Sequence, residues 1–410
     1  MSLGRVAVFL AVMGAAWMSA VWPGRAETTL SEAQMTEAGS QAGLAAWVPG
    51  FRDRALAAGV SAATFDQAMR GVEFNPKTVE RDRNQNEFTK TIWDYMDTAV
   101  SEDRVALGIK ALAANGELLE RIEATYGVDK EIVVAVWGLE SAYGTFRGDL
   151  PVIGSLATLA YDGRRGVFFE AELIAALKII EGGHVTDFRG SWAGASGHTQ
   201  FMPTSWEKFA VDLDGDGRRN LWGDDPADAL ASTAAYLKHW GWKKGALWGL
   251  EVRLPEGFDY DQTTEAVKKP VAEWAALGVV PAAGGGLPDH GLASVLLPGG
   301  ARGAAFLIFS NFQVIERYNT ADAYVIGIGH LADRITGGPP IAASWPRDLR
   351  ALTLPERMEL QERLGVAGFD AGGVDGRMGP KTIAAVKAFQ KARGLAPDGY
   401  PSLEILTLLD

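Results

Sequence analysis

Residues 129–140 read DKEIVVAVWGLE, a pattern that predicts a helix ending in an acid. Asp129 suits the N-cap position, and Glu131 suits the first turn, where the helix dipole favours a negative charge. Apolar side chains recur at helical spacing and define a buried face, formed by Ile132, Val133 and Val136.

Glu140 falls on that apolar face, four residues after Val136 and eight after Ile132. A carboxylate in such a place is either paired with a basic group or has its pKa raised by desolvation. The second condition suits a general acid that works near neutral pH. Periodicity alone leaves both interpretations open, a paired structural glutamate and a catalytic acid.

Several short motifs accompany this glutamate and occur in a fixed order. They are ESAYG at 140–144, SWAG at 191–194, QFMP at 200–203, SNF at 310–312 and RYN at 317–319, followed by Tyr324. Together they resemble the lytic murein transglycosylases of the soluble lytic transglycosylase B type, over roughly residues 41–338. Any one motif is weak evidence, but their number and order make the resemblance specific.

The resemblance implies a mainly α (α+β) chain with a lysozyme-like, α-rich catalytic domain. It implies that Glu140 protonates the glycosidic oxygen between N-acetylmuramic acid and N-acetylglucosamine and then acts as a base. The muramyl C6 hydroxyl closes on its own C1 and leaves a 1,6-anhydromuramyl end. Such enzymes use neither a cofactor for catalysis nor the second carboxylate of ordinary glycosidases.

The resemblance also implies a set of substrate-binding residues. Some match positions that orient Glu140 or line the sugar cleft: Ser191, Gln200, Tyr318, Asn319 and Tyr324. Arg164 or Arg165 is expected to meet acidic or acetamido groups of the substrate. A buried tyrosine that is hydrogen-bonded to the backbone would look the same in sequence, so a structural role for Tyr318 and Tyr324 stays open.

A possible metal loop lies at 212–218, which read DLDGDGR. Three aspartates alternate with other residues before a glycine at the sixth position, as in an EF-hand calcium loop. The twelfth position is Gly223 instead of glutamate, so the closing ligand must come later, from Asp224, Asp225 or Asp228, of which Asp228 is preferred. The predicted ligands of this structural calcium are Asp212, Asp214, Asp216, Arg218 and Asp228. The alternative is a solvated acidic turn, for which Asp and Gly are equally suited.

Composition and motif searches argue against other classes of function. The chain has a formal net charge of -12, whereas nucleic-acid binding depends on clustered Lys and Arg. Its five histidines show no HExxH spacing, and no G-x-S-x-G motif occurs, so neither a zinc enzyme nor a serine hydrolase is supported.

The first 26 residues have the features of a secretory signal peptide. Arg5 precedes an apolar run over 6–21, and small residues close the segment near Ala26. A membrane anchor is the alternative, but the run is shorter than the roughly 20 residues that a spanning helix needs. We therefore expect cleavage, export to the periplasm and no stable membrane anchor.

The rest of the chain divides by composition. Residues 41–180 have helical periodicity, whereas 263–304 are rich in Gly and Pro and predict a sheet-containing subdomain, with strands at 295–297 and 305–309. A linker is predicted at 339–348, after a catalytic domain over 41–338. The segment 349–410 resembles the three-helix peptidoglycan-binding module, on the turn DGRMGP at 375–380, and Phe389 is expected in its core.

Three functions remain open from the sequence. The first is a lytic transglycosylase that the small module tethers to glycan strands of peptidoglycan. The second is a muramidase that admits water, and the third is a non-catalytic wall-binding scaffold with a structural Glu140. The sequence does not decide between cleavage at strand ends and within strands, nor does it indicate the oligomeric state.

Overall fold

A computed structural model describes residues 39–83 and 90–409 of the 410-residue chain. The predicted signal peptide lies outside the described residues. The described residues form two compact units, 39–83 with 107–240, and 90–106 with 241–409. In the described part of the chain, no helix is long and apolar enough to cross a membrane.

Seventeen helices occur in the described residues. Those up to residue 240 are α1 (Gln41–Ala57), α2 (Ala62–Ala68), α3 (Pro76–Arg83), α4 (Ile92–Ala99), α5 (Glu102–Ala114), α6 (Gly116–Tyr126), α7 (Lys130–Ser141), α8 (Val152–Asp162), α9 (Gly166–Glu181), α10 (Pro203–Phe209) and α11 (Ala227–His239). Those beyond it are α12 (Val271–Ala276), α13 (Ser310–Ile315), α14 (Asp322–Ile335), α15 (Leu354–Val366), α16 (Pro380–Ala392) and α17 (Leu403–Leu408).

The first unit is a helical assembly with α7 in its interior. Helix α9 packs against α8 and α10, and α11 packs against α6 and α7. A two-stranded ribbon of β1 (Leu150–Pro151) and β2 (Arg189–Gly190) is the sheet in this unit. The helical pattern predicted over 41–180 is confirmed by these elements.

The second unit contains a five-stranded antiparallel sheet. Its strands are β3 (Gly249–Arg253), β4 (Lys269–Pro270), β5 (Val280–Pro281), β6 (Leu292–Leu296) and β7 (Ala305–Ile308), in the order β4-β6-β7-β3-β5. Trp274 is fully buried beneath the sheet, and its Nε1 donates to the carbonyl of Ala293 at 2.8 Å. The two predicted strands are confirmed as β6 and β7. The subdomain begins earlier than predicted, because β3 precedes residue 263.

The C-terminal module consists of α15, α16 and α17 around a small apolar core. Phe389 is buried in that core, as the sequence predicts. The buried Gln361 explains the DGRMGP turn, because its amide donates to Asp375 Oδ1 and its carbonyl oxygen accepts from the backbone of Asp375 and Gly376. Thr353 and Glu356 form a capping box that starts α15.

The linker predicted at 339–348 has neither helix nor strand, but it makes specific contacts. The carboxylate of Glu251, on β3, accepts from the backbone amides of Ala342 and Ala343, both at 2.7 Å. Trp345 lies 6.2 Å from Trp93 between ring centroids. The segment therefore differs from a flexible tether, because both its backbone and its aromatic side chain are held.

Candidate active site

Glu140 lies in the last turn of α7 and is 1% exposed. The predicted apolar face of this helix is confirmed, but every residue from Ile132 to Ser141 is buried, so the helix has no solvated side over that length. Asp129 occupies the N-cap position without a side-chain capping bond. The carboxyl group is thus presented from a rigid, completely packed helix.

A left-handed turn follows the glutamate directly. Ala142, Tyr143 and Gly144 have φ of 48°, 58° and 84°, and Gln200 has φ of 53°. Among the described residues, Ala142, Tyr143 and Gln200 are the non-glycine residues with positive φ. Such conformations cost of order 1–3 kcal/mol each and persist only where the surroundings impose them, often at functional sites.

Two glycines create the room that this turn needs. A Cβ on Gly138 would lie 2.6 Å from the Tyr143 ring, so its absence lets that ring pack on α7. A Cβ on Gly144 would lie 2.5 Å from Nδ1 of His198. Gly138 and Gly144, on either side of Glu140 in sequence, are therefore explained by the close approach of two aromatic side chains.

His198 is held at both ring nitrogens. Its Nδ1 accepts from Trp137 Nε1 at 3.1 Å, and its Nε2 lies 2.7 Å from the carbonyl oxygen of Gly223. Because an indole N–H can only donate and a carbonyl can only accept, these bonds assign the proton to Nε2. Burial lowers the pKa of His198, and the nearby Arg147 adds to that lowering, whereas the bond to Gly223 opposes it. The ring is therefore neutral and braces α7 near Glu140.

Polar side chains fasten the two loops that flank Glu140. Ser141 Oγ donates to the carbonyl of His198 at 2.5 Å and accepts from the backbone of Gly144 at 2.9 Å. Gln200 Nε2 donates to the carbonyls of Arg147 and Gly197, at 3.0 and 2.9 Å. These bonds join the ESAYG motif at 140–144 to the segment between SWAG at 191–194 and QFMP at 200–203, as one site.

Ser191 closes the turn that leads into this segment. Its Oγ accepts from the backbone amide of Ala195 at 3.1 Å, and Ser196 forms bridges with Gly190 and Phe201. The structure therefore gives both Ser191 and Gln200 hydrogen bonds to the backbone. Each shapes the loops around Glu140.

Arg164 and Arg165 share a buried partner. Arg164 Nε donates to Asp82 Oδ2 at 2.6 Å, and Arg165 pairs with Oδ1 of the same carboxylate. Burial would raise the pKa of Asp82, but the hydrogen bonds and charges of the two arginines outweigh it, so the pKa is lowered. The pair thus ties the start of α9 to α3.

Tyr318, Asn319 and Tyr324 belong to the second unit. All three are buried, and Asn319 Oδ1 accepts from the backbone amide of Ala321 at 3.0 Å. Tyr318 and Asn319 follow α13, and Tyr324 lies in the first turn of α14. These three predicted substrate-binding residues therefore lie close together in sequence, at 318–324.

The acidic loop brings three predicted ligands together. One carboxylate oxygen each of Asp212, Asp214 and Asp216 lie within 4.8 Å of one another. Asp212 also accepts from the amides of Gly215 and Gly217, at 2.7 and 2.9 Å. Three anions facing one point on an ordered loop fit a hard cation with oxygen ligands.

Asp228, which the sequence predicts as the closing ligand, lies in the first turn of α11, directly after the loop. It is buried, and its two oxygens accept from the amides of Leu213 and Asn220, at 2.7 and 2.8 Å. It falls outside the group of mutually close aspartates. The Asp228 side chain therefore holds the loop through the backbone amides of Leu213 and Asn220. Arg218, another predicted ligand, donates its own backbone amide to Asp216 Oδ1 at 2.7 Å.

Glu172 is another buried acid of the first unit, and its contacts give it a structural role. Glu172, on α9, accepts from the backbone amide and the hydroxyl of Thr204, at 2.9 and 2.7 Å. Burial raises its pKa, which the bonds to Thr204 oppose. Glu172 therefore caps α10.

Sequence reasoning missed the partners of the Glu140 turn. It treated His198 as one of five scattered histidines and assigned no role to Trp137 or Arg147. The available signal was the position of His198 between the SWAG motif at 191–194 and the QFMP motif at 200–203. The bond that joins it to Trp137 spans 61 positions, so local patterns do not reveal it.

Comparisons with known proteins give consistent matches. Residues 43–333 match the transglycosylase SLT domain, and residues 353–409 match a peptidoglycan binding domain. The chain is 34% identical over 250 residues to the membrane-bound lytic murein transglycosylase B of Escherichia coli K12, which covers 59% of this chain and 66% of that protein.

Solved structures are also similar. SltB3 from Pseudomonas aeruginosa, in complex with NAG-anhNAM-pentapeptide, has a TM-score of 0.87 and 47% identity, over 89% of this chain and 99% of that chain. The Escherichia coli lytic transglycosylase Slt35, in complex with calcium, has a TM-score of 0.61 and 27% identity, over 75% of this chain and 98% of that chain.

Proposed function

The chain belongs to the transglycosylase SLT family, and we propose that it cleaves the β-1,4 bond between N-acetylmuramic acid and N-acetylglucosamine in peptidoglycan with formation of 1,6-anhydromuramyl ends. The observation that carries this proposal is Glu140, a fully buried carboxyl group held between a packed helix and a strained turn. The complex of the similar SltB3 with an anhydromuramyl peptide supports the same product.

In this mechanism Glu140 donates its proton to the leaving oxygen of N-acetylglucosamine as the bond to muramyl C1 breaks. The resulting carboxylate then removes the proton of the muramyl C6 hydroxyl, whose oxygen forms the new bond to C1. The proton returns to Glu140, and no water is consumed. A carboxyl group excluded from solvent suits both steps, because the same group must act as acid and as base.

We propose that Ser191, Gln200, Tyr318, Asn319 and Tyr324 shape the sugar cleft. The hydrogen bonds of Ser191 and Gln200 to the backbone support a role in holding the loops around Glu140. Arg164 and Arg165, held by Asp82, are proposed to meet acidic groups of the substrate with the part of each side chain that stays exposed.

We also propose that the loop at 212–218 binds a structural Ca²⁺. The ion would be bound by carboxylate oxygens of Asp212, Asp214 and Asp216. Asp228 holds the loop by accepting from the backbone amide of Leu213. The calcium complex of the similar Slt35 supports this assignment. The ion would neutralise three clustered negative charges on the loop, and the chemistry at Glu140 does not need it.

Membership of this family also supports a proposal for the roles of the domains and for the location of the protein. We propose that 41–338 form the catalytic domain, that 339–348 link it to the module at 349–410, and that this module binds glycan strands. A signal peptide at 1–26 would direct the chain to the periplasm, where peptidoglycan is found.

The test is product analysis by mass spectrometry after incubation with peptidoglycan sacculi. We expect the native protein to release anhydromuropeptides and Glu140→Gln to release about 10²–10⁴-fold less, the usual contribution of a general acid and base. Glu131→Gln removes another carboxylate of the same helix and should retain activity. Reducing ends one water heavier would identify a muramidase, and binding without release would identify a scaffold.

A further inference from the structure

Three acidic side chains from separate segments meet in the second unit. Glu265 lies between a short 3₁₀ turn (Tyr260–Gln262) and β4, Glu316 follows α13, and Asp322 is the first residue of α14. One carboxylate oxygen of each lies within 4.8 Å of the others, and all three residues are half-buried. We call this group the carboxyl triad.

The pKa values of all three carboxyl groups of the triad are raised above their ordinary range. Burial, and then the charges of Glu265 and Asp322, raise the pKa of Glu316 to about 8. Burial and the charge of Glu265 raise the pKa of Asp322 to about 7, and burial raises that of Glu265. Like charges so close together retain a shared proton, as in other paired carboxylates.

The basic groups near the triad reduce this effect without cancelling it. Lys268 opposes the rise in the pKa of Glu265, and Arg317 opposes the rise for Glu316. Glu265 also has side-chain hydrogen bonds with Gln313 and with Glu316. A hydrogen bond between two carboxyl groups requires a proton on one of them, because an ionised carboxylate only accepts.

Two members of the triad flank a loop that carries two of the proposed substrate-binding residues. Glu316 and Asp322 stand at the two ends of the loop 317–321, which carries Tyr318 and Asn319. At the two ends of the loop, the Tyr318 amide donates to the carbonyl of Ile315 and the Tyr324 amide donates to the carbonyl of Ala321, both at 2.8 Å.

The third member of the triad, Glu265, belongs to a segment that is hydrogen-bonded to the sheet. Its backbone carbonyl accepts from Ser294 Oγ, on β6, at 3.1 Å. The triad therefore connects both ends of the loop 317–321 to a segment that is fastened to the sheet.

We propose that the carboxyl triad is a proton-dependent brace that positions Tyr318 and Asn319 for substrate binding. While a proton is shared, the three carboxyl groups hold both ends of the loop against the segment of Glu265. When it is lost, the like charges repel one another and the loop is released. This inference rests on the proposed function, because it needs Tyr318 and Asn319 to contact the glycan.

The direction of the pH effect follows from the raised pKa values. A carboxyl group with a folded pKa above its ordinary value stabilises the folded state at pH below the ordinary value. That contribution is lost as pH rises from about 4, the ordinary range of Asp and Glu, to about 8, the pKa of Glu316. The brace should therefore weaken on the alkaline side of neutrality.

The test compares Glu316→Gln with the native protein on soluble, uncrosslinked peptidoglycan strands between pH 6 and 9.5. The native KM should rise above pH 7, by up to about tenfold per pH unit, while kcat changes little. In Glu316→Gln the neutral amide keeps a hydrogen-bond donor, so KM should stay level with pH. Glu273→Gln, an exposed acid on α12, should follow the native profile.

Other results would overturn the brace. A KM that rises in parallel in the native protein and in Glu316→Gln would exclude it. So would an unfolding temperature that Ca²⁺ or Mg²⁺ raises for the native protein but not for Glu316→Gln, because the triad would then be a metal site. If Glu316→Gln does not fold, Asp322→Asn takes its place with the same expectation. A native protein without product at any pH contradicts the proposed function instead.

Discussion

At the scale of single residues, the site depends on how closely side chains approach α7. Glu140 itself is predictable, since the apolar spacing of 132–140 already places it in the interior. The turn after it is not, because Ala142 and Tyr143 adopt a left-handed conformation that sequences usually mark with glycine. The surrounding contacts, and not the local preference of these two residues, impose the turn.

Gly144→Ala tests this view of the turn. The new Cβ would meet His198 Nδ1 at 2.5 Å and also occupy a left-handed residue. We expect the free energy of unfolding to fall by about 1–2 kcal/mol for the backbone and by about 1–3 kcal/mol more for the overlap.

Gly127→Ala is the matched control, and urea unfolding is the measurement. Gly127 has φ of 67°, and a Cβ added to it would point into open space, so only the backbone cost applies. Equal losses in the two variants would contradict a role for the contact with His198.

At the scale of elements, the sequence predicts helices and strands where apolar residues form a local pattern. It does not predict a strand whose pairing partners are distant in the chain. Strands β6 and β7 were predicted from short apolar runs. Strand β3 was missed, because it is defined by its partners: Leu250 pairs with Leu307 and Val252 with Ala305, more than fifty positions away. The acidic loop was predicted, but the bonds of Asp228 to both ends of that loop were not.

Calcium should stabilise the acidic loop. At ten times its dissociation constant, a ligand specific for the folded state contributes about 1.4 kcal/mol, which corresponds to about 3–6 °C in unfolding temperature for a unit of this size. Asp214→Asn keeps the acceptor for the Asp216 amide but removes a charge, so this increase should shrink.

Differential scanning calorimetry with and without Ca²⁺ measures this effect. Asp53→Asn, an exposed acid on α1, should respond to calcium as the native protein does. An increase in unfolding temperature that persists in Asp214→Asn would mean that the ion binds elsewhere.

At the scale of the whole molecule, the family, the α-rich lysozyme-like fold and the helical C-terminal module are confirmed by the match to SltB3. The sequence could not predict how the module is held. Lys387, on α16, is buried and donates to the Tyr260 carbonyl at 2.6 Å and to Thr263 Oγ1 at 3.0 Å. Its partners are more than 120 positions away, so the module looks independent in sequence although it packs on the sheet-containing part of its own unit.

Lys387→Met should loosen this packing. Methionine retains the apolar stem but removes the hydrogen bonds of the ammonium group. The Thr263 hydroxyl oxygen then loses its donor, whereas the Tyr260 carbonyl keeps its bond from the Thr263 hydroxyl, so we expect a cost of about 1–3 kcal/mol. Limited proteolysis should then cut residues 339–348 faster than in the native chain. Lys381→Met, at an exposed position on the same helix, serves as the control. Equal cleavage rates in native protein and Lys387→Met would indicate that the contact does not hold the module.

The proposed function requires that Glu140 directs an intramolecular closure and not the addition of water. Digestion of peptidoglycan in ¹⁸O-labelled water, followed by mass spectrometry of the released muropeptides, tests it most directly. We expect products one water lighter than reducing muropeptides, with no ¹⁸O at the muramyl end. Incorporation of one ¹⁸O atom at muramyl C1 would contradict it and make the enzyme a hydrolase.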